Sequence, residues 1–305
     1  MSGAAAMGGR WLLCRPQNGL NDMLCTIEAA CRYAERFGRT VVVDTAFDGA
    51  SHFRDRFSRY FVSRQADLLL DLEAVGGGLD DLETAPACLR GRIGAYRARY
   101  DVALDRRVDA DSGVPLTFDF EVDHPEPLLV HHHGNGGNRS FAALARLRLH
   151  DSLVDELVAR LRAIGAPYSA LHIRHTDYRS HYESELDALS RQVAGPVFIA
   201  TDNREALAHC RAAFGPDRVH AFADLPQAAG RTLHDLAPSD DAWSRNRDAI
   251  LDLVMLGLST TLYTFKLAPN HIGTTTSGFS RLAIHLVENR PLLRELIGRH
   301  DPVFG

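Results

Sequence analysis

Short uninterrupted apolar runs alternate along this chain with longer stretches whose apolar residues recur every three or four positions. Trp11-Leu12-Leu13-Cys14 and Val41-Val42-Val43 are runs of the first kind, the pattern of strands covered on both faces. Between them Met23, Leu24, Ile27, Ala30, Tyr33, Ala34 and Phe37 share one face of a helix that starts at Asn21 and stops at Gly38. Arg15-Pro16-Gln17-Asn18-Gly19 joins strand to helix and has the composition of a turn. Strand, turn, helix, strand predicts a βαβ unit and therefore a parallel sheet.

Residues 48–124 are less regular, with short apolar runs, Gly76-Gly77-Gly78 and several loops, and their elements cannot be ordered from sequence. Leu128-Leu129-Val130 is another short strand, followed by His131-His132-His133-Gly134-Asn135-Gly136-Gly137-Asn138, a loop. The second half then repeats the α/β rhythm. Helices are predicted over 151–164, 183–193, 204–214 and 241–258, with a last one over 279–288, and strands over 169–173, 197–200 and 219–222. The reading is an α/β protein of two domains, 1–145 and 146–305, with a cleft between them.

At 305 residues the chain is long for one core and suits two domains of roughly 150 residues each. Its 45% hydrophobic and 24% charged content is that of a soluble globular protein. A net charge of −5 without a basic stripe argues against nucleic acid as a partner. Lys266 is the only lysine, and a GC-rich coding bias explains the excess of arginine more simply than phosphate recognition does. Cys14, Cys25, Cys31, Cys88 and Cys210 are odd in number and lack a C-x-x-C pair, so they suggest buried, reduced thiols and neither zinc nor a disulfide framework. The first nine residues lack the basic start and apolar core of a signal peptide, and no stretch approaches the ~20 apolar residues of a spanning helix. A cytoplasmic address is expected, with peripheral membrane contact left open.

The most informative segment runs from Ala170 to Tyr178, where His172, Arg174 and Asp177 follow a short apolar run. A strand ending in a polar turn is where open α/β sheets place ligands. An arginine there offers a planar fork that matches a phosphate or carboxylate bidentately, and a diphosphate is the expected ligand.

Four segments together resemble the fucosyltransferase-like superfamily of GT-B glycosyltransferases, which includes the nodulation, α1,6-, α1,2- and protein O-fucosyltransferases. Asn18-Gly19-Leu20-Asn21 with residues 29–43 is similar to that family's N-terminal glycine loop, helix and strand. His172-x-Arg174-x-x-Asp177 is similar to its H-x-R-x-x-D signature. Ala200-Thr201-Asp202-Asn203 resembles its A-T-D, and Ile250-Leu251-Asp252-Leu253 with Thr276-Ser277-Gly278-Phe279-Ser280-Arg281-Leu282-Ala283 resembles its last motif. The resemblance covers most of the second half and about the first 45 residues. It implies a GT-B fold of two Rossmann-type domains facing each other across a cleft, acceptor side first, GDP-sugar side second.

The resemblance also implies the activity: inverting, metal-independent transfer of fucose or a similar sugar from GDP-fucose to a glycan. Donor binding would fall to Asn18, Gly19, Asn21, His172, Arg174, Asp202, Asp252, Thr276, Ser277 and Gly278. A carboxylate at Asp252 can accept both N1–H and the exocyclic amine of guanine, a pair that adenine does not offer. Without a metal, arginine and helix-terminal amides must stabilise the departing diphosphate, a role for Arg174 helped by the turn at Ser277. For the general base the candidates are Glu183, Asp177 and His175, with Glu183 one place off the family's register and a base-free route also open.

Each motif has a plainer reading. His172 to Asp177 can be a structural Arg–Asp pair at a strand end, Ser277 an N-cap, Asp252 a charge on a helix surface and Lys266 a surface lysine. Asp109-Ala110-Asp111 spells a metal-binding D-x-D but reads as a solvated loop. Three consecutive histidines cannot converge on one zinc without a bend. The segment 263–273 reads as sequence inserted into the last motif. Two other functions fit the same residues: a GT-B transferase with another nucleotide-sugar donor, or a catalytically silent nucleotide- or glycan-binding module.

Overall fold

The computed structural model describes residues 9–47, 53–134, 136–165, 167–225, 241–270 and 273–304. The chain divides into two compact units, Met1–Arg148 and Leu149–Gly305.

The first unit begins with β1 (Trp11–Cys14), α1 (Leu20–Phe37) and β2 (Thr40–Val43). Short strands follow: β3 (Phe61–Ser63), β4 (Leu68–Leu69), β5 (Thr84–Ala85), β6 (Ala98–Asp101), β7 (Arg106–Asp109) and β8 (Leu128–His131). Helix α2 (Ser140–Leu144) and strand β9 (Leu147–Leu149) lead to the division. The main sheet has the order β4-β2-β1-β8-β5, and its neighbours pair parallel. Leu12, Leu13, Val42, Val43, Leu128 and Val130 are fully buried, which is why the central strands are continuous apolar runs. Helix α1 lays Met23, Leu24, Ile27, Ala30 and Ala34 inward. It ends at Gly38, whose φ of 65° suits a residue without Cβ.

The second unit opens with α3 (Asp151–Ile164) and β10 (Ser169–Ile173), then α4 (Glu183–Gln192), β11 (Val197–Thr201), α5 (Arg204–Phe214) and β12 (Val219–His220). It closes with α6 (Ala242–Leu258), β13 (Thr261–Thr264), α7 (Gly278–Glu288) and α8 (Arg290–Ile297). Its sheet, β12-β11-β10-β13, is also parallel. Leu171, Ile173, Val197, Ile199, Leu207, Cys210 and Phe214 form the core on one face, while α6 packs against β10, β11, α3, α7 and α8.

Three expectations need correction. Strand 219–222 keeps only its first two residues, because β12 is an edge paired through Val219 and His220 alone. Phe222 instead turns to within 6.2 Å of the Phe198 ring. The segment read as an insertion begins inside β13 (Thr261–Thr264), whose Tyr263 and Thr264 lie beside Leu171 and His172. An edge strand of half-exposed Thr-Leu-Tyr-Thr carries no apolar run, so the pattern was absent. The loop after it is tied down by Ala268 N–H to Arg179 O (2.7 Å) and Leu267 N–H to Thr275 O (2.9 Å). Lastly, α7 is followed by α8: Asn289 ends one helix and caps the next through Leu292 N–H, with Pro291 tolerated in the first turn.

The five cysteines are free, four buried and Cys88 half-buried. Among the described residues no helix is long and apolar enough to cross a membrane.

Candidate functional site

Strands β10 and β11 end side by side, and the residues just beyond them carry the chemistry. Asp202, directly after β11, accepts the backbone N–H of His175 (2.8 Å) and the hydroxyl of Thr176 (2.8 Å). It also ion-pairs with Arg174 Nη1 at 2.8 Å. Asn203 adds a bond from its side-chain amide to His175 O (2.8 Å) while its own Oδ1 caps α5. The turn after β10 is thus bolted to the turn after β11.

Arg174 departs from the free fork expected of it. Its Nη2 donates to Asp177 (2.6 Å) and its Nη1 faces Asp202, leaving the side chain 23% exposed. A guanidinium has five N–H donors, so the two pairings order the group and leave donors for a ligand. They also neutralise it: one cation stands against two carboxylates. Asp202, read from the sequence as a donor-binding carboxylate, is here spent on protein contacts and is only 6% exposed.

His172, the last but one residue of β10, lies under the N-terminus of α7. Its Nδ1 is 2.7 Å from Ser280 Oγ, and the Phe279 ring lies over it at 5.0 Å with a 35° tilt. Ser277 caps α7 by accepting Ser280 N–H (3.0 Å). The N-cap read from Ser277 is therefore present, on the amide of the third helical residue. The amides of Gly278 and Phe279 find no hydrogen-bond partner among the described residues, as first-turn amides of a helix have none within it. Burial, with a smaller contribution from Arg174, pushes the His172 pKa down to about 3. The imidazole is neutral at physiological pH and lies beside a helix end that favours anions.

The remaining expected residues are distributed as follows. Asp177 accepts Arg174 Nη2 on Oδ1, which also lies 3.1 Å from Thr176 Oγ1, whose single proton goes to the nearer Asp202. His175 Nδ1 sits 3.4 Å from Ser180 N–H, and its ring meets Tyr182 edge-on at 5.0 Å. Glu183 and Glu185 are exposed in the first turn of α4. Glu183 touches Tyr182, whose phenol pKa is pushed up to about 12 by burial and then by Glu183. Among the described residues it makes no contact with Arg174 or His172. Thr276 lies beside the Ser277 cap, and Thr274 Oγ1 donates to its carbonyl (3.0 Å).

Asp252 is not the helix-surface charge of the plainer reading. It is buried on α6, 3.7 Å from Arg160 Nη1, beside an Arg160–Asp248 ion pair. Burial pushes its carboxyl up to about 8, against the pull of Arg160 and with a push from Asp248. Asp252 Oδ1 and Arg160 Nη1 are both buried without a hydrogen bond, and Phe222 stands 5.3 Å from the Arg160 guanidinium.

In the first unit Asn18 takes a left-handed φ of 68° and Gly19 starts α1 without a side-chain cap. Asn21 Oδ1 accepts Ser140 Oγ (2.7 Å). Gly134 packs so tightly on this turn that a Cβ would meet Asn18 Nδ2 at 2.7 Å. His131 belongs to β8 rather than to the loop; its Nδ1 bonds Thr117 at 2.8 Å, and burial, then His133, pushes its pKa down to about 3. Asp109 is not solvated: it ends β7 fully buried, accepting Ser112 and pairing with Arg92. Asp111 pairs with Arg92 and Arg97. Among the described residues no group of three or more His, Cys, Asp or Glu could hold a metal ion.

Sequence reasoning missed Ser280, Thr176, Asn203, Arg160 and Asp248 as partners. Asp248 and Asp252 sit four apart on one helix face, a legible signal. Arg160 lies among the buried residues of α3, a place where only a paired charge is found. A hollow of about 300 Å³ lined by residues including Arg294, Ile297, Arg299 and Phe304 contains none of the expected residues.

No protein-family model and no curated protein sequence matches the chain. Solved structures do. Fucosyltransferase NodZ from Bradyrhizobium is 19% identical, with a TM-score of 0.60 over 91% of this chain and 93% of that one. NodZ alpha-1,6-fucosyltransferase co-crystallised with GDP gives 19%, 0.59, 91% and 92%. POFUT1 in complex with GDP-fucose gives 12%, 0.56, 97% and 97%. In fold, two parallel-sheet α/β units in series, the chain is similar to the GT-B fucosyltransferases.

Proposed function

We propose that the chain is an inverting, metal-independent glycosyltransferase that moves fucose, or a closely similar sugar, from a GDP-sugar to a glycan acceptor. One observation carries this reading. Positions 108 residues apart meet at 2.7 Å, bringing His172 under the N-terminus of α7 at the C-terminal end of a parallel sheet. The free amides of Gly278 and Phe279 and the neutral imidazole meet at one helix end, and Arg174, two residues beyond His172, keeps donors besides those it gives to Asp177 and Asp202. Such a set suits the charge that develops on the β-phosphate as a diphosphate departs.

The second unit takes the GDP-sugar and the first, with its turn at Asn18, Gly19 and Asn21, takes the acceptor. Guanine recognition falls to Asp252 beside Arg160, whose carboxylate, once ionised, accepts N1–H and the exocyclic amine together, a pair that neither adenine nor uracil offers. The acceptor hydroxyl attacks the anomeric carbon opposite the leaving diphosphate, so configuration inverts. Its proton passes to Asp177, which keeps Oδ2 without a partner among the described residues; the exposed Glu183 is not assigned this role.

GDP release from GDP-fucose, measured with and without glycan acceptors and in EDTA, tests the reading. Slow release without acceptor is expected, unaffected by EDTA and abolished in Arg174→Ala. The pairing of Arg174 with two carboxylates favours a second reading, a module that binds the nucleotide and does no chemistry. Binding of GDP without release from GDP-fucose would establish it.

A further inference from the structure

Strands β6 and β7 of the first unit pair antiparallel in a two-stranded sheet of their own, with Asp101 opposite Arg106. The base of this hairpin is anchored: Val108 is fully buried, and the Arg97 carbonyl accepts Ala110 N–H (2.8 Å). Its far end is open. Tyr100, Val102 and Leu104 are 50%, 83% and 50% exposed, and these three of the five large hydrophobic residues exposed among the described residues fall within five positions. Single exposed hydrophobics are ordinary, whereas a cluster of them on one tip marks a contact surface.

The polar groups of the tip are matched within it. Asp101 Oδ1 accepts Ala103 N–H (3.1 Å) and Leu104 N–H (3.2 Å), and its Oδ2 accepts Arg99 (3.0 Å). Asp105 accepts the Tyr100 hydroxyl. The tip can therefore enter a less polar medium without stranding these amides or either carboxylate. Arg97 is held back by Asp111 (2.9 Å), but Arg106 and Arg107 pair with no carboxylate among the described residues. We propose that this hairpin is a membrane-contact element: Val102, Leu104 and Tyr100 enter the headgroup layer of an anionic lipid surface, and Arg106 and Arg107 meet its phosphates. Tyrosine favours that depth, and apolar burial adds to the attraction between arginine and anionic lipid. A protein partner fits less well, because three side chains on a convex tip present far less than the ~800 Å² per partner of a stable interface. The inference does not depend on the GDP-sugar reading.

Co-sedimentation of the full chain with vesicles of phosphatidylcholine alone, and of phosphatidylcholine and phosphatidylglycerol in equal parts, tests it. The wild type should partition onto the anionic vesicles, less so as salt is raised. Val102→Ser with Leu104→Ser should weaken partition at least about tenfold, and Arg106→Ser about fivefold. Both variants should melt with the wild type, since the substituted side chains are exposed. In Leu104→Trp the emission should shift to the blue on the anionic vesicles. Absence of wild-type partition, equal partition onto the two vesicles, or partition unchanged in the double serine variant would overturn the assignment. So would a concentration-dependent dimer in sedimentation that the double variant loses, which would give the tip to a second copy of the chain.

Discussion

In both units an arginine directly follows the first strand of the sheet and meets an aspartate directly following the strand beside it. In the first unit Arg15 Nε reaches Asp44 at 2.9 Å; in the second Arg174 Nη1 reaches Asp202 at 2.8 Å. The pairs share topology and chemistry and differ in what lies over them. Arg15 is sealed, with Phe47 at 3.5 Å, Tyr96 at 5.0 Å, the Ile93 carbonyl on its Nη1 and no exposed surface. Among the described residues Arg174 has no aromatic lid, and it keeps 23% of its side chain exposed, two residues beyond a neutral histidine that lies against a helix N-terminus. A strand-end Arg–Asp pair is therefore not a site in itself. What surrounds it decides whether it holds the fold or meets a ligand.

The largest expected effect separates the two arginines by stability. Arg15→Ala orphans a buried carboxylate and should cost about 3–5 kcal/mol, read from denaturant midpoints. Arg174→Ala also leaves a buried carboxylate, Asp202, but removes a partly exposed guanidinium with no aromatic packing among the described residues, so it should cost less, about 1–3 kcal/mol. Equal losses would erase the distinction. A second contrast lies in the acids of the second unit. Asp177→Asn should slow donor turnover about 100-fold or more if it takes the acceptor proton, and Glu183→Gln less than about twofold. The reverse order would move the base to α4.

A smaller effect comes from Asp252. With its folded pKa raised to about 8, it holds a proton that the unfolded chain has already released at neutral pH. The stability it contributes therefore falls as pH climbs from the ordinary aspartate range toward about 8. Asp252→Asn lacks that fall, so its melting temperature relative to the wild type should rise by a few degrees between about pH 5 and about pH 8. A flat difference would mean the carboxyl is ionised throughout.

Much of this contrast was legible in the sequence, and its decisive part was not. Strands 11–14 and 169–173 and helices 151–164 and 204–214 have their observed limits, because buried parallel strands and amphipathic helices write clear periodicities. Strand β13 was unreadable, since half-exposed edge residues lack an apolar run. Arg174 and His172 were recognisable from their place at the end of a strand. The second aspartate on Arg174, the contact of Ser280 with His172 and the pairing of Asp252 with Arg160 join residues 28 to 108 positions apart, and no local pattern encodes such distances. Tyr96, one half of the aromatic lid on Arg15, lies within residues 48–124, where element order could not be read.

The central claim, that the open strand-end arginine belongs to a GDP-sugar site, is tested most directly by thermal unfolding with nucleotides. At a concentration of ~100 times its dissociation constant GDP should stabilise by about 2.7 kcal/mol, raising the melting temperature more than UDP, CMP or ADP. Arg174→Ala should abolish the gain while leaving the fold intact. Equal shifts for UDP and GDP, or a gain that survives in Arg174→Ala, would contradict the account.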